Sequence, residues 1–242
     1  MGLALLLALP GCRRESVRLH EVPSRVLWAW ESPQDLRFLK GDVGVAFLGG
    51  ELHLEGQGAR WVARRNPLLV PPETHLMAVI RVETHGAELT ADQAEAFLDR
   101  AVGLLKLPRV KGLQVDFDAR DSERAFYADA LKKLRERMPA DMPLSITALA
   151  SWCLDDGWIS QAGLSGIVDE AVPMLFRMGP EEARIRSRLA RGEALKEPLA
   201  RFSAGVSTDE RLPRPRGRRR YYVFHPGSWT VDAWDRIARD LP

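Results

Sequence analysis

The chain has 242 residues, of which 45% are hydrophobic and 28% are charged, so it can bury a large core. Lys and Arg outnumber Asp and Glu by only two, 35 against 33, which excludes the strongly basic class of nucleic-acid-binding proteins. The two cysteines, Cys12 and Cys153, are too few for a cysteine-built zinc site or a disulfide framework.

A short apolar run opens the chain and ends at a cysteine. Leu3–Leu9 is followed by Pro10, Gly11 and Cys12. Small residues just before a cysteine are similar to the lipobox of bacterial lipoproteins, in which the cysteine carries the lipid. Pro10 departs from the usual lipobox, and no Lys or Arg precedes the run. The alternative interpretation is a frayed apolar N-terminus of a cytoplasmic protein.

This resemblance divides the chain into a signal over residues 1–12, a short tether over 13–24 and one domain over 25–242. It implies a lipid on Cys12, membrane attachment through that lipid and a place in the bacterial cell envelope. Arg13 stands where an Asp would mark retention at the inner membrane, which favours the periplasmic face of the outer membrane. The apolar run alone is too short to span a bilayer, which takes about 20 residues.

Eight short β-type runs follow, on average about one βα unit apart. This spacing predicts parallel strands connected by crossover helices. The runs are Arg25–Glu31, Val43–Leu48, Leu76–Glu83, Gly112–Asp118, Leu144–Trp152, Glu170–Met178, Phe202–Thr208 and Tyr221–His225.

Helix signals lie between several of these runs. Segment 32–41 begins with Ser-Pro and ends with Gly, which predicts a capped helix with proline in its first turn. Thr90 and Gln93 have the spacing of a capping box and precede an apolar stripe at helical period. These signals predict one helix after the first run and one after the third.

The later helices are marked in the same way. Asp121 or Ser122 is expected to cap the helix after the fourth run. Pro180–Gly192 opens with acidic residues and closes with arginines, which matches the helix dipole. A final helix is expected to place Trp234 and Ile237 on one face.

The alternation breaks at two places. Residues 51–72 lack a helical period; Glu51–Glu55 alternates, and after a Gly-Gln-Gly turn Arg60–Ala63 has the pattern of a returning strand. Residues 209–220 are too rich in Pro, Gly and Arg for a helix. We interpret the arginine-rich part, Arg214–Arg220, as a solvated loop, with attraction to anionic lipids or glycans as the alternative.

The fold class is therefore α/β: an imperfect (β/α)8 TIM-type barrel in which a hairpin and a loop replace two helices.

The fourth run carries the main candidate site. Alternation of side chains places Leu113, Val115 and Phe117 on one face and Gln114, Asp116 and Asp118 on the other. The apolar set is expected to pack against helices, so the polar set points into the barrel at the end where active sites of this fold lie. Two coupled carboxylates can keep one proton between them.

The sequence Gly-Leu-Gln-Val-Asp-Phe-Asp over residues 112–118 resembles the fourth-strand motif of the chitinase family of glycoside hydrolases, Gly-Leu-Asp-Leu-Asp-Trp-Glu. The resemblance implies that Asp118 is the acid and that Asp116 is its assisting aspartate. Gln114 replaces a further aspartate, and Asp118 is one methylene shorter than the family's glutamate. Met174 lies in Pro-Met-Leu-Phe over residues 173–176, which is similar to the Met-x-Tyr of the family's sixth strand but lacks the hydroxyl.

A broader resemblance extends over nearly the whole chain from Arg25. It is to a family of bacterial proteins known only as a domain of unknown function. The segments 116–120, 145–152 and 172–178 carry it. This resemblance implies the barrel and the envelope location, and it implies no reaction.

Other strand ends supply candidate substrate-binding residues. Arg81 and Glu83 share one face beside the fourth run, where they either position the acids or bind sugar hydroxyls; a structural ion pair is the alternative. Trp30 and Trp152 are candidates for stacking on sugar rings, although tryptophan is more often a core residue. Arg177 is a further candidate at the rim, and Gln114 and Met174 are also candidates for binding the substrate.

Two functions remain open from the sequence. The first is a glycoside-hydrolase-like enzyme that acts on a polysaccharide through Asp116 and Asp118. The second is a non-catalytic barrel that binds a carbohydrate polymer of the envelope. No Gly-rich phosphate loop, Gly-x-Ser-x-Gly elbow or His-Glu-x-x-His motif is present, so we expect no cofactor and no metal. We expect no nucleic acid as partner, and the oligomeric state stays open.

Overall fold

The structure is a computed structural model that describes residues 15–86, 88–213, 215, 217 and 219–241. Cys12 and the apolar run before it lie outside the described residues. The strands are β1 (Arg25–Ala29), β2 (Gln34–Asp35), β3 (Val43–Glu55), β4 (Gly58–Ala63), β5 (Leu68–Leu69), β6 (Leu76–Thr84), β7 (Val110–Asp116), β8 (Leu144–Leu149), β9 (Glu170–Met174), β10 (Ser203–Ser207) and β11 (Arg220–Phe224).

Helices follow most of the barrel strands. The α-helices are α1 (Ala91–Leu105), α2 (Arg124–Arg137), α3 (Trp158–Gln161), α4 (Glu182–Ala190) and α5 (Val231–Asp240). A π-helical turn spans Trp152–Asp156. Short 3-10 helices span Val17–Leu19, Asp121–Glu123, Gly179–Glu181 and Pro198–Ala200. Among the described residues, no helix has both the length and the apolar character needed to cross a membrane.

Eight parallel strands form a closed barrel. Their order is β1-β11-β10-β9-β8-β7-β6-β3, and parallel pairing of β1 with β3 closes the ring. All eight predicted β-type runs are barrel strands, so the (β/α)8 fold class is confirmed. Each of the eight strands pairs with a strand on both sides, so the ring has no edge strand with unpaired backbone groups.

Apolar residues form one layer inside the barrel and one outside it. The outer layer lies between strands and helices and includes Val115 and Phe117, whereas Trp28 and Tyr222 lie in the inner layer. A Cβ added at Gly205 would come within 2.9 Å of the Trp28 ring, so only glycine permits that indole to fill the barrel. The barrel interior is therefore a packed core rather than a channel.

The connections follow the predictions in part. The capping box is present: Gln93 N donates to Thr90 Oγ1, and Thr90 N donates to Gln93 Oε1 at 2.9 Å. The predicted hairpin is present, with β4 antiparallel to β3. The helix after β7 begins at Arg124, after a 3-10 turn, and the predicted Asp121 or Ser122 cap is wrong.

The predicted helix over residues 32–41 is wrong. Gln34–Asp35 instead forms β2, which pairs with β5. Gln34 N donates to Pro67 O, Leu36 N donates to Leu69 O at 2.7 Å, and Trp229 N donates to the Gln34 side chain. These long-range bonds, together with burial of Leu36, outweigh the local helix signals. A third barrel connection therefore lacks an α-helix.

The N-terminal residues close the end of the barrel opposite the acids. Leu19 and Val22 are buried in the inner layer. Arg220, the first residue of β11, donates to the carbonyls of both and forms ion pairs with Glu15 and Glu170 at 2.8 and 3.1 Å. Residues 15–24, predicted as a tether, thus pack against the barrel bottom.

The end of the arginine-rich run is also part of this bottom. Arg219 and Arg220 are 9% and 6% exposed, and Arg219 donates to the carbonyls of Ala200 and Arg201. The prediction of a solvated loop is therefore wrong for these two residues. The sequence pattern did not reveal that the backbone carbonyls of the segment just before β10 need buried donors.

Candidate active site

The side chains of β7 divide between the two layers as predicted. Leu113, Val115 and Phe117 lie in the outer layer, and the Phe117 ring packs edge-on against Tyr127 of α2 at 5.0 Å between centroids. Gln114 and Asp116 point to the barrel interior. The prediction that the apolar face of β7 points outward and its polar face inward is confirmed. Side chains alternate along a strand, so once the apolar face packs against helices the polar face must point into the barrel.

Gln114 lies deep in the barrel and does not reach its mouth. It is 0% exposed, accepts a hydrogen bond from Trp28 Nε1 at 2.7 Å and donates to Ser145 Oγ at 3.0 Å. Its predicted role in substrate binding is therefore wrong in this structure. The amide instead holds the indole that fills the barrel below the acids.

Asp116 is the last residue of β7 and is 4% exposed. Both of its carboxylate oxygens accept hydrogen bonds: Oδ1 from Thr147 Oγ1 at 2.7 Å and Oδ2 from Arg81 Nη1 at 2.8 Å. A buried carboxylate with a cationic partner and a hydroxyl donor is satisfied as an anion. Asp116 is therefore a fixed negative charge at the barrel mouth.

Asp118 stands two residues beyond the end of β7 and is exposed to solvent. Protein around the mouth still desolvates its carboxyl group in part. That desolvation, followed by repulsion from Asp116 and opposed by attraction to Arg81, raises the pKa of Asp118 to about 6. Among the described residues, no cationic nitrogen lies within 4.0 Å of its carboxylate. The carboxyl group of Asp118 therefore carries its proton up to about pH 6, well above an ordinary Asp, and solvent reaches it.

Arg81 and Glu83 lie beside these acids on β6, as predicted. Arg81 is paired with Asp116 in the β6–β7 register, and its Nε donates to Glu83 Oε1 at 2.5 Å. The guanidinium therefore bridges Glu83 and Asp116 and orients the Asp116 carboxylate. Glu83 keeps more than a third of its side chain exposed at the rim.

Aromatic side chains form the opposite part of the mouth. Phe176 and Phe224 stack at 5.6 Å, and Trp30 meets Phe224 edge-on at 6.5 Å. Trp30, Phe224 and Met174 are half-buried against the inner layer, so each keeps a solvent-facing part. The Arg177 guanidinium lies 4.8 Å above the Phe224 ring and pairs with Asp209. The predicted candidates Trp30, Met174 and Arg177 thus come together.

Trp152 is not part of this surface. It follows the end of β8 on the π-helical turn, is 3% exposed and packs edge-on against Trp158 at 5.1 Å. Its predicted position at a strand end, and with it the stacking on sugars, is wrong. The ring belongs to the outer core, which is the more common fate of a tryptophan.

Two groups at the mouth were not identified from the sequence. Thr147 donates to Asp116, and Phe224 supplies the ring between Trp30 and Phe176. Alternation in β8 places Ser145 and Thr147 on the inner face, which is a signal that indicates Thr147. A surface cavity of about 1200 Å³ adjoins the aromatic part of the mouth; it lies between α4, the segment after β10 and α5, and Asp209, the partner of Arg177, is part of its lining.

Comparisons with known proteins agree with this barrel. Residues 73–175 match the family described as Domain of unknown function (DUF3142), a narrower range than expected from the sequence. No curated protein matches the chain. The crystal structure of a candidate chitinase A from Streptomyces coelicolor aligns with a TM-score of 0.55 at 8% identity, over 90% of this chain and 95% of that one.

A second similar structure is the spore cortex-lytic enzyme SleL from Bacillus cereus. Its TM-score is 0.51 at 16% identity, and the match covers 81% of this chain but 55% of SleL, so this chain spans just over half of that enzyme's length. At these identities the likeness shows the fold. The residues that match the family model, 73–175, include both acids, and the barrel is similar in fold to these two solved structures.

Proposed function

We propose that this protein acts on a polysaccharide as a glycoside hydrolase, with Asp118 as the proton donor and Asp116 as its charged partner. The carbohydrate polymer binds at the barrel mouth. The protein works in the bacterial cell envelope, where a lipid on Cys12 anchors the chain at the periplasmic face of the outer membrane.

One observation carries this proposal. Asp116 and Asp118 are two carboxyl groups of the same strand end that have opposite environments. Asp116 is buried and held as an anion by Arg81 and Thr147, whereas Asp118 is open to solvent with its pKa raised to about 6. Hydrolysis of a glycosidic bond requires this division between a protonated and an ionised carboxyl group.

The chemistry follows from these two states. Protonated Asp118 donates its proton to the glycosidic oxygen as the bond from that oxygen to the anomeric carbon breaks. Positive charge develops on the sugar, and the Asp116 carboxylate stabilises it. Water adds to the anomeric carbon and returns a proton to Asp118, so the net reaction is hydrolysis.

The aromatic part of the mouth supplies the binding surface. Sugar rings present flat C–H faces that stack on aromatic rings, and Trp30 and Phe224 keep solvent-facing ring area there. The two similar solved structures are named as a candidate chitinase and a cortex-lytic enzyme. These names support β-linked, N-acetylated polymers as the first substrates to examine.

A non-catalytic polysaccharide-binding barrel is the second candidate. Asp118 is one methylene shorter than the glutamate of the chitinase motif, and Gln114 is bound to Trp28 where that motif has an aspartate. The aromatic surface would serve a binder equally well. The two candidates differ in whether bond cleavage depends on Asp118.

The test compares the wild type with Asp118→Asn on a panel of polysaccharides, with release of reducing ends as the readout. Asp118→Asn keeps the shape and removes the proton, so turnover should fall at least about 100-fold, a usual general-acid contribution. Binding of the polymer should be retained. Asp121→Asn is the matched control because its side chain, three residues away, is 90% exposed. Wild-type turnover no greater than that of Asp118→Asn, with polymer bound by both, would show a binder.

A further inference from the structure

Strands β3 and β6 run beyond the barrel rim and carry a ladder of charged side chains on one face. The parallel register pairs Glu51 with Arg81 and His53 with Glu83. Two residues farther along, Glu55 ends β3 and His85 follows β6. Side chains at these alternating positions share a face, while Leu52 and Leu54 are buried on the other.

The outer end of this ladder brings together two imidazoles and a carboxylate. One ligand atom from each of His53, Glu55 and His85 lies within 4.8 Å of those of the other two. Within the described part of the chain, this is the one grouping of at least three His, Cys, Asp or Glu side chains with that geometry. Two histidines and a glutamate form a donor set typical of zinc sites with an open fourth position.

The separations suit a single small cation. His85 Nε2 lies 3.5 Å from Glu55 Oε1. Zinc bonds of about 2.0–2.1 Å in tetrahedral geometry place neighbouring ligand atoms roughly 3.3–3.4 Å apart. This pair therefore already has the spacing of two ligands on one ion, and a ligand atom of His53 lies within 4.8 Å of both.

The surroundings hold the ligands in place. Glu51 Oε2 lies 3.3 Å from His53 Nε2, and a carboxylate beside a metal-binding histidine orients its ring. Buried Gln93 of α1 donates to the carbonyls of Gly56 and Gly58, which fixes the turn that follows Glu55. Arg60 also contacts Glu55, at 3.3 Å, and is the group that a cation would displace.

We propose that His53, Glu55 and His85 bind one Zn²⁺ ion, with water in the fourth position. The ion joins the β3–β4 hairpin to the segment after β6 and so stiffens the wall beside the barrel mouth. His85 lies four positions after Arg81, so the ion lies roughly 13 Å along the chain from Arg81, the partner of Asp116. It is therefore distinct from the acids.

The test uses the full chain without a histidine tag, stripped of metal by chelation. Titration with Zn²⁺ in a calorimeter should give one ion per chain, and Co²⁺ should give the visible absorption of a tetrahedral site. His85→Ala and Glu55→Gln should each weaken Zn²⁺ binding at least about 100-fold, more than loss of an outer-shell partner. His20→Ala, an exposed histidine outside the ladder, is the matched control and should bind as the wild type does.

A second readout does not depend on turnover. Saturating Zn²⁺ should raise the Tm of the wild type and of His20→Ala, because the ion binds the folded state, and it should leave the Tm of His85→Ala unchanged. Circular dichroism of the metal-free variants establishes that each is folded. Absence of binding to the folded wild type, or equal binding by folded His85→Ala, would overturn the proposal. Neither result bears on polysaccharide cleavage, which has its own test.

Discussion

Arg81 and Asp116 are direct neighbours across β6 and β7, and the guanidinium Nη1 lies 2.8 Å from the Asp116 carboxylate. Because Arg81 also donates to Glu83, its positive charge is shared between two carboxylates. Asp118 therefore still experiences repulsion from Asp116, which contributes to its raised pKa. The charge balance at the mouth thus depends on Arg81, one cation that pairs with both Glu83 and Asp116.

The first prediction concerns the pH profile. The raised pKa of about 6 means that Asp118 is protonated below that pH, so general-acid activity falls as the pH rises through it. Asp116→Asn removes the repelling charge, lowers the pKa of Asp118 and should shift the alkaline limb of kcat/KM to lower pH. Arg81→Gln removes the attracting charge and should shift it to higher pH. Unchanged limbs in both variants would contradict the coupling.

The second prediction contrasts two tryptophans. Trp30→Ala should weaken polysaccharide binding on the order of fivefold, since ring stacking contributes about 1 kcal/mol. Trp152→Ala should leave the affinity unchanged and lower the free energy of unfolding by about 3–5 kcal/mol, because its ring fills the outer core. Affinity electrophoresis and urea unfolding measure the two effects. The reverse pattern would remove Trp30 from the binding surface.

The third prediction concerns the layer between strands and helices. Phe117→Ala should lower the free energy of unfolding by about 3–5 kcal/mol, because it leaves a cavity against Tyr127. Phe117→Leu keeps much of the volume and should cost less. Urea unfolding with an unchanged m-value measures both. Equal stability of wild type and Phe117→Ala would place the ring outside the core.

The fourth prediction concerns acid stability. Burial, and then the charges of Lys111 and Arg220, lower the pKa of His75 to about 4. In the unfolded chain His75 binds a proton near its ordinary value of 6.5, so the folded state loses stability as the pH falls from 6.5 towards 4. The loss from this residue is on the order of 3 kcal/mol. Unfolding of the wild type and His75→Leu at several pH values should show a smaller loss in the variant. Parallel curves would contradict the lowered pKa.

The fifth prediction concerns the lipid anchor. Expressed in a Gram-negative host behind a complete signal sequence, the protein should incorporate labelled palmitate. Cys12→Ser should abolish the label, and Cys153→Ser, which changes a buried thiol, should retain it. Equal labelling of wild type and Cys12→Ser would rule out lipidation of Cys12.

The fold was predictable because parallel strands buried on both faces leave a strong record in the sequence. All eight runs were found, and the alternation in residues 112–118 gave the correct direction for Asp116 and Phe117. Local sequence signals gave wrong predictions where long-range contacts determine the backbone conformation. The caps at residues 32–41 predict a helix, but hydrogen bonds to Pro67 and Trp229 hold an extended chain.

The site was predictable only along a single strand. Asp116 and Asp118 share a strand, so their spacing alone brings them together. The aromatic surface joins Trp30, just after β1, Phe176, just after β9, and Phe224, at the end of β11, and only barrel closure makes them neighbours. Trp152 was misplaced because an apolar run looks the same in a strand and in the helical turn that follows it.

The packed N-terminal segment has a consequence for orientation. Glu15 is tied to Arg220 at the bottom of the barrel, and Cys12 lies three residues before it, at most roughly 11 Å of extended chain away. A lipid on Cys12 would therefore hold the barrel upright on the membrane, with its bottom against the lipid surface. The acids at the opposite end would face away from the membrane, towards polymers that lie a barrel's height above it.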